Sequence, residues 1–597
     1  MWNCSLTISA TAASPPLRQW PGGISWRRPS RLQCSAATTR HDDDLVLDNK
    51  GDNRLRENTG ADIFQPSIWG DIFLGNSNPA AAASSQQQQI QMEERADKLR
   101  EEVAKMIASS TTTASRLQLI DALERLCLDH LFEEEIGAAL AQIETADVSD
   151  YDLETVALWF CLLRKHRYMV SPDVFVRFKD EDGGFLVNSP KDLLNLYNAA
   201  HMRTHGEIIL EEAVLFSQRH LETMVPYMEG SLAREIKSAL DIPLPRRPRI
   251  YEYKYYISMY EKDGMVDEKV LQLAKLNSNI MQLHHQHELG IVSRWWNDIN
   301  IESRLPHVRD RLVECYLWIL GVYYEPCYSR ARIILTMTTA MVTLLDDTYD
   351  SYATPEECEL FTKCIESWDS MGAQDLPERM KYGLEKIFDS CEIIENMLHQ
   401  EEKYRIWYLR QSIKDLVISY SVEVKMLQEG YIPKSVEEHL KLSLITVGYP
   451  ILACVSFVGM HDIATKDCLD WVSSIPKMVE ALSVILRLVD DLESYEREQL
   501  VPHVASTIDS YMKEHNVSIE VAREQIYILK EESWKDFNNE WLNPDNNVYP
   551  KQLLERMFNL ARTAQFLYNK EEKFTNSHYL KDTVHSLLLA EPFKIPI

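Results

Sequence analysis

Acid is missing from the start of this chain: the first acidic residue is Asp42. The stretch before it is rich in Ser, Thr, Ala and Pro, with Arg18, Arg27, Arg28, Arg31 and Arg40 spread through it. It also lacks the apolar core of a secretory signal, so residues 1–40 read as a plastid transit peptide, with a cytoplasmic protein bearing a plain polar terminus as the alternative. No apolar run approaches the roughly 20 uncharged residues that a membrane helix needs. The eleven cysteines are scattered with no CxxC pair, which excludes a disulfide framework and reads as reduced core thiols. A basic surplus is absent too. With 63 Lys and Arg against 91 Asp and Glu, the net charge is −28. That argues against nucleic acid or an anionic membrane as the main partner. An anionic small molecule would have to be held by metal ions and local arginines.

What is present is helix. Hydrophobic residues make up 45% of 597 positions, enough for two large cores, and strand signals are nearly absent. From Asp42 the chain is polar. Phe64 to Phe73 carries aromatic anchors, and Asn76 to Gln91 is Ala/Ser/Gln-rich and reads as a linker. The segment 41–91 is therefore expected to be polar and low in complexity. Helical periodicity starts at Met92 with Leu99, Val103 and Ile107 on one face. A first helical domain is expected over 92–250. It closes at Pro243, Pro245 and Pro248, which alternate with Arg246, Arg247 and Arg249 as a hinge. A second domain runs over 267–597. His284 to Glu288 (HHQHE) lacks the Cys or distant His that would complete a zinc set.

Two stretches carry chemistry. The apolar run from Ile333 ends in Asp346, Asp347 and Asp350, and helical spacing puts Asp346 and Asp350 on one face with Asp347 beside them. Carboxylates packed together repel unless a cation lies between them, and hard oxygen ligands suit Mg²⁺ completed by phosphates. The equal run Asp42-Asp43-Asp44 has no apolar helix behind it and is given no function. A second apolar helix turns polar at Asp490, with Ser494 and Glu498 one and two turns on and Arg487 one turn earlier.

Together DDTYD and DDLESYERE resemble the two metal motifs of class I plant terpene synthases. The likeness extends through QPSIWGD at Gln65, LPRRPR at Leu244, RWW at Arg294 and VRDRLVECYLWILGVYYEP at Val308. The resemblance implies an all-α fold: an N-terminal α-barrel-like domain without a catalytic motif, since no DxDD is spelled, and a C-terminal class I helical bundle. It implies Asp346, Asp347, Asp350, Asp490, Ser494 and Glu498 as metal ligands for three Mg²⁺ ions, with Mn²⁺ as an alternative. It implies Arg309, Arg311 and Arg487, with Asp346, Asp350 and Asp490, around a diphosphate, and Trp318, Thr446, Gly448 and Tyr449 on the pocket wall. The expected partner is a prenyl diphosphate and the expected state a monomer. The expected activity is Mg²⁺-dependent ionisation of that substrate to a carbocation and a volatile terpene.

Three departures bear on specificity. The arginine pair associated with cyclising monoterpene synthases is absent, Thr59-Gly60 standing at its place, which favours an acyclic monoterpene from geranyl diphosphate or else farnesyl diphosphate as substrate. The loop after Glu498 reads Gln499-Leu500-Val501-Pro502-His503, where basic residues are common. Glu572-Lys573-Phe574-Thr575 replaces a DG(Y/F)T lid, leaving Tyr568 and Phe574 without an assigned role. An inactive helical interaction protein is the reading of another class.

Overall fold

The computed structural model describes residues 66–74, 79–110, 112–181, 183–262, 266–500 and 503–595. The transit-like segment, the polar stretch to residue 65 and the positions of the missing arginine pair lie outside the described residues. Among these residues the only β pairing is an isolated bridge between Lys179 and Phe185, so the chain is all-α as its periodicity predicts.

The helices that position the site are numbered here in chain order: α1 (Pro79–Ser109), α2 (Leu153–Lys165), α3 (Glu268–Ile299), α4 (Leu312–Val322), α5 (Ser329–Asp347), α6 (Ile406–Gln428), α7 (Val436–Thr446), α8 (Tyr449–Val458), α9 (Lys477–Glu498), α10 (Ile519–Leu542) and α11 (Lys551–Leu567). The first of these corrects a sequence expectation. The Ala/Ser/Gln stretch is not a linker but the first turns of α1, because Ala and Gln are good helix formers, and Gln89 meets His284 of α3 at 3.4 Å. Arg95 reaches Gln272 at 3.1 Å and Lys269 reaches Glu102 at 2.6 Å across that contact.

The Pro/Arg stretch is likewise a packed clamp rather than an open hinge. Arg246 donates from Nη1 to both oxygens of Glu531 on α10 at 2.9 and 3.0 Å, and Arg249 reaches Asp129 at 2.8 Å. The Trp541 indole donates to the Arg164 carbonyl of α2 at 3.0 Å. One continuous buried apolar layer runs through both expected domains. His285 and Glu288 of the HHQHE stretch are structural. The imidazole bonds the Tyr324 carbonyl at 3.0 Å, and the carboxylate grips Arg332 at 2.6 and 2.8 Å. The one stretch among the described residues long and apolar enough to cross a membrane, Val436–Val458, is mostly buried and broken at Gly448, where φ is +78°.

Candidate active site

Helix α5 is buried along most of its length and passes at Asp347 into a π turn, Thr348–Tyr352. Such i→i+5 turns are rare and concentrate at functional sites. Here the turn carries Asp350. Helix α9 runs unbroken through Asp490, Ser494 and Glu498. Asp346, Asp350, Asp490 and Glu498 all line one cavity of about 320 Å³, so the two acidic helix ends share a single hollow.

The two Asp-Asp pairs are used in the same way. The second member of each is buried and occupied. Asp347 accepts the backbone N–H of Arg309 at 2.7 Å and lies 2.8 Å from its Nε. Asp491 accepts from Arg487 Nη1 at 3.0 Å and from the Thr507 N–H at 2.6 Å. The first members are the more open. Asp346 takes Arg309 Nη2 at 2.7 Å, and Asp490 lies 3.4 Å from Arg487. Asp347, expected as a metal ligand, lines the cavity as well and is paired there with Arg309. Ser494 is fully buried beside Glu498. Arg311, expected at a diphosphate, is turned away from the cavity. It is buried, and Nη2 donates to the Thr575 carbonyl of the C-terminal segment at 3.0 Å.

Electrostatics set this end of the hollow apart. Burial, with Glu498 adding to it, pushes the Asp490 carboxyl up to about 8. Burial and the Asp346 carboxylate push Asp347 up to about 6. Asp350, wetted by the cavity but ringed by protein, is raised well above the usual carboxylate range, with Asp346 and Glu423 contributing. Glu423 on α6, which the sequence reading missed, is raised to about 7 by burial while accepting the Thr446 hydroxyl at 2.6 Å. The only local signal for it is a Glu three residues after Tyr420 on a helix that is otherwise half apolar. Negative charge therefore exceeds what Arg309 and Arg487 neutralise, and oxygen donors with suppressed acidity fit a hard divalent cation. Among the described residues no three of these groups converge as a ready-made cage.

The cavity also has an aromatic wall, which reaches Arg309 at Phe574, the guanidinium lying 5.7 Å from the ring. Trp318 meets Tyr449, Tyr568 and Phe574 edge to face, with centroids 6.1, 6.2 and 5.5 Å apart. Its indole donates to the Tyr449 hydroxyl at 3.2 Å, and that hydroxyl donates to the Leu560 carbonyl at 2.9 Å. Gly448, between α7 and α8, lines the cavity with Thr446. The altered lid joins this wall to the acidic residues. Glu572 caps the Thr575 N–H at 2.8 Å, and Arg309 Nη1 donates to the Thr575 hydroxyl at 3.0 Å. Tyr568 and Phe574, left without a role in the sequence, therefore belong to the wall.

Residues 68–240 match the family described as terpene synthase, N-terminal domain, and residues 297–536 match the terpene synthase family, metal binding domain. The chain belongs to the terpene synthase family. Among relatives, an alpha-terpineol synthase from Zea mays, named as chloroplastic, is 53% identical over 91% of this chain and 87% of its own length. A beta-sesquiphellandrene synthase from Sorghum bicolor is 43% identical over 89% of this chain and 96% of its own. The fold superimposes on isoprene synthase from grey poplar, solved with three Mg²⁺ ions and dimethylallyl-S-thiolodiphosphate. The TM-score is 0.78 at 30% identity, covering 84% of this chain and 97% of that one. This terpene synthase is thus a lyase whose metal-binding domain contains both acidic helix ends, Asp346 to Asp350 and Asp490 to Glu498.

Proposed function

We propose that this terpene synthase ionises a prenyl diphosphate in the cavity between α5 and α9, with geranyl diphosphate as substrate and an acyclic monoterpene as the favoured product. One observation carries the reading: a single hollow is lined both by two carboxylate-bearing helix ends and by four aromatic rings. Asp346, Asp350, Asp490, Ser494 and Glu498 would hold Mg²⁺, three ions by likeness to the family, with Mn²⁺ as an alternative. Bound there, the metal would supply charge neutralisation at the departing diphosphate.

The chain's own residues do the rest. Arg309 and Arg487 bring cationic donors to the acidic end, each held by its buried aspartate so that little reorganisation is needed when charge develops. Thr575 and Glu572 draw the C-terminal segment over the cavity and keep water from the cation. The rings of Trp318, Tyr449, Tyr568 and Phe574 can stabilise positive charge by ~0.5–2 kcal/mol each where desolvated. The contour they enclose with Gly448 sets how the hydrocarbon folds before it loses a proton.

The chloroplastic relative and the acid-free residues 1–40 favour a plastid enzyme and a ten-carbon substrate. The sesquiphellandrene synthase relative supports the second reading, farnesyl diphosphate as substrate. The missing arginine pair supports the acyclic product. We take the protein to act as a monomer. Incubating the purified chain with MgCl₂ and either geranyl or farnesyl diphosphate, then identifying the volatiles, tests all of this. A monoterpene formed from geranyl diphosphate supports the proposal. Turnover of farnesyl diphosphate alone overturns the substrate, and no diphosphate release from either overturns the activity.

A further inference from the structure

The charge around the cavity includes a cation that the reading above leaves unused. Among the described residues lining the hollow there are three arginines, Arg309, Arg487 and Arg497, and no lysine. Arg309 donates from Nη2 to Asp346 and from its backbone N–H to Asp347, both at 2.7 Å, and Arg487 donates to Asp491 at 3.0 Å. Arg497 is held differently. It follows Asp490 by seven residues on α9, so at 3.6 residues per turn the two side chains leave the helix within about 20° of each other. That places Arg497 on the cavity stripe of the helix rather than on its solvent face.

Two carboxylates flank its guanidinium. Nη2 stands 3.9 Å from Glu498 and 4.0 Å from Glu572. Both separations exceed the roughly 2.7–2.9 Å of a charge-assisted hydrogen bond. The acids therefore aim the guanidinium at the cavity without taking up its donors. Its Nε is buried and has no hydrogen-bond partner. About a third of the side chain remains open. A planar fork held this way presents donors to an anion lying between Arg309 and Arg487. The loop that follows offers no Lys or Arg over Gln499 to His503, so positive charge on this side of the hollow must come from the helix itself.

We infer that Arg497 is a diphosphate-binding side chain, holding the substrate's diphosphate and then the released inorganic diphosphate in place of the basic loop residues that this chain lacks. The inference rests on the proposed chemistry for its substrate but not for its test, which reads binding of inorganic pyrophosphate directly. Titrating the full chain with pyrophosphate in the presence of MgCl₂ by calorimetry should show Arg497→Gln binding about tenfold more weakly than the unaltered protein. Arg497→Lys should fall between the two. Adding Leu500→Lys to Arg497→Gln should recover part of the loss, since Leu500 is exposed in the neighbouring loop. Thermal melting without pyrophosphate separates binding from folding, and Arg497→Met serves as a second variant should the amide fold poorly. In turnover the loss should appear in KM for the prenyl diphosphate more than in kcat. Unchanged pyrophosphate affinity in a folded Arg497→Gln or Arg497→Met overturns the inference, whatever the enzyme's products. Weakened pyrophosphate binding in a protein that converts neither prenyl diphosphate would uphold it and sink the proposed activity instead.

Discussion

The indole N–H of Trp69 donates to a carboxylate oxygen of Glu314, 245 residues further along the chain, at 2.7 Å inside the protein. The segment before α1 is thereby pinned to α4, one turn from Trp318 on the cavity wall. Burial raises the Glu314 carboxyl above its ordinary range, and its second oxygen has no hydrogen-bond partner. Trp69→Phe should therefore lower stability to urea by ~1–3 kcal/mol, the cost of leaving a buried acceptor unsatisfied. Glu314→Gln should cost less because it removes a buried charge. Equal stability of Trp69→Phe and the unaltered protein would show that the segment is not tied down there.

Asp346 lines the cavity and accepts from Arg309 Nη2. Asp346→Ala should reduce turnover by at least ~10²-fold, the scale of losing one preorganised electrostatic group. Far-UV circular dichroism should stay that of a folded helical protein. Retained activity would exclude Asp346 as a ligand.

The raised carboxyl of Asp490, at about 8, has a definite sign in the pH dependence of stability. The native state holds a proton there that the unfolded chain releases near pH ~4, so the contribution is full below that pH and is lost as pH rises through the folded value. Without divalent metal, the unaltered protein should lose stability relative to Asp490→Asn as pH rises from about 5 to about 8. MgCl₂ should shrink that loss, because metal stabilises the ionised form. Melting curves of the two proteins, with and without metal, measure it. A difference that stays flat with pH would contradict the burial of this carboxyl.

Gly448 sits at a φ of +78° between α7 and α8, and a Cβ there would meet only Val342 Cγ1 at 3.5 Å. The cost of Gly448→Ala is thus backbone strain rather than a clash, about 1–2 kcal/mol by thermal or urea melting. Because the break lines the cavity, the product mixture should change in the same variant. An unchanged mixture would mean that the kink does not shape the reacting hydrocarbon.

Local pattern determined a great deal here. Apolar residues at helical spacing fixed the all-α class. Two apolar helices ending in carboxylates announced where charge is concentrated, because helical periodicity places neighbours one turn apart without help from the rest of the chain. What the pattern could not give was pairing across long separations. Asp346 and Asp347 look alike in sequence and both bind Arg309, yet Asp346 stays partly open on the cavity while Asp347 is buried. Glu423 joins the site from a helix that carries no motif, Glu572 and Phe574 from a lid whose motif is altered, and Arg311 is drawn off by the Thr575 carbonyl, 264 residues on. Even the start of α1 depended on tertiary packing, since a run of Ala, Ser and Gln has no apolar face to reveal a helix until α3 lies beside it. Periodicity along the chain specifies which face of a helix is acidic; only the packed core decides which faces meet.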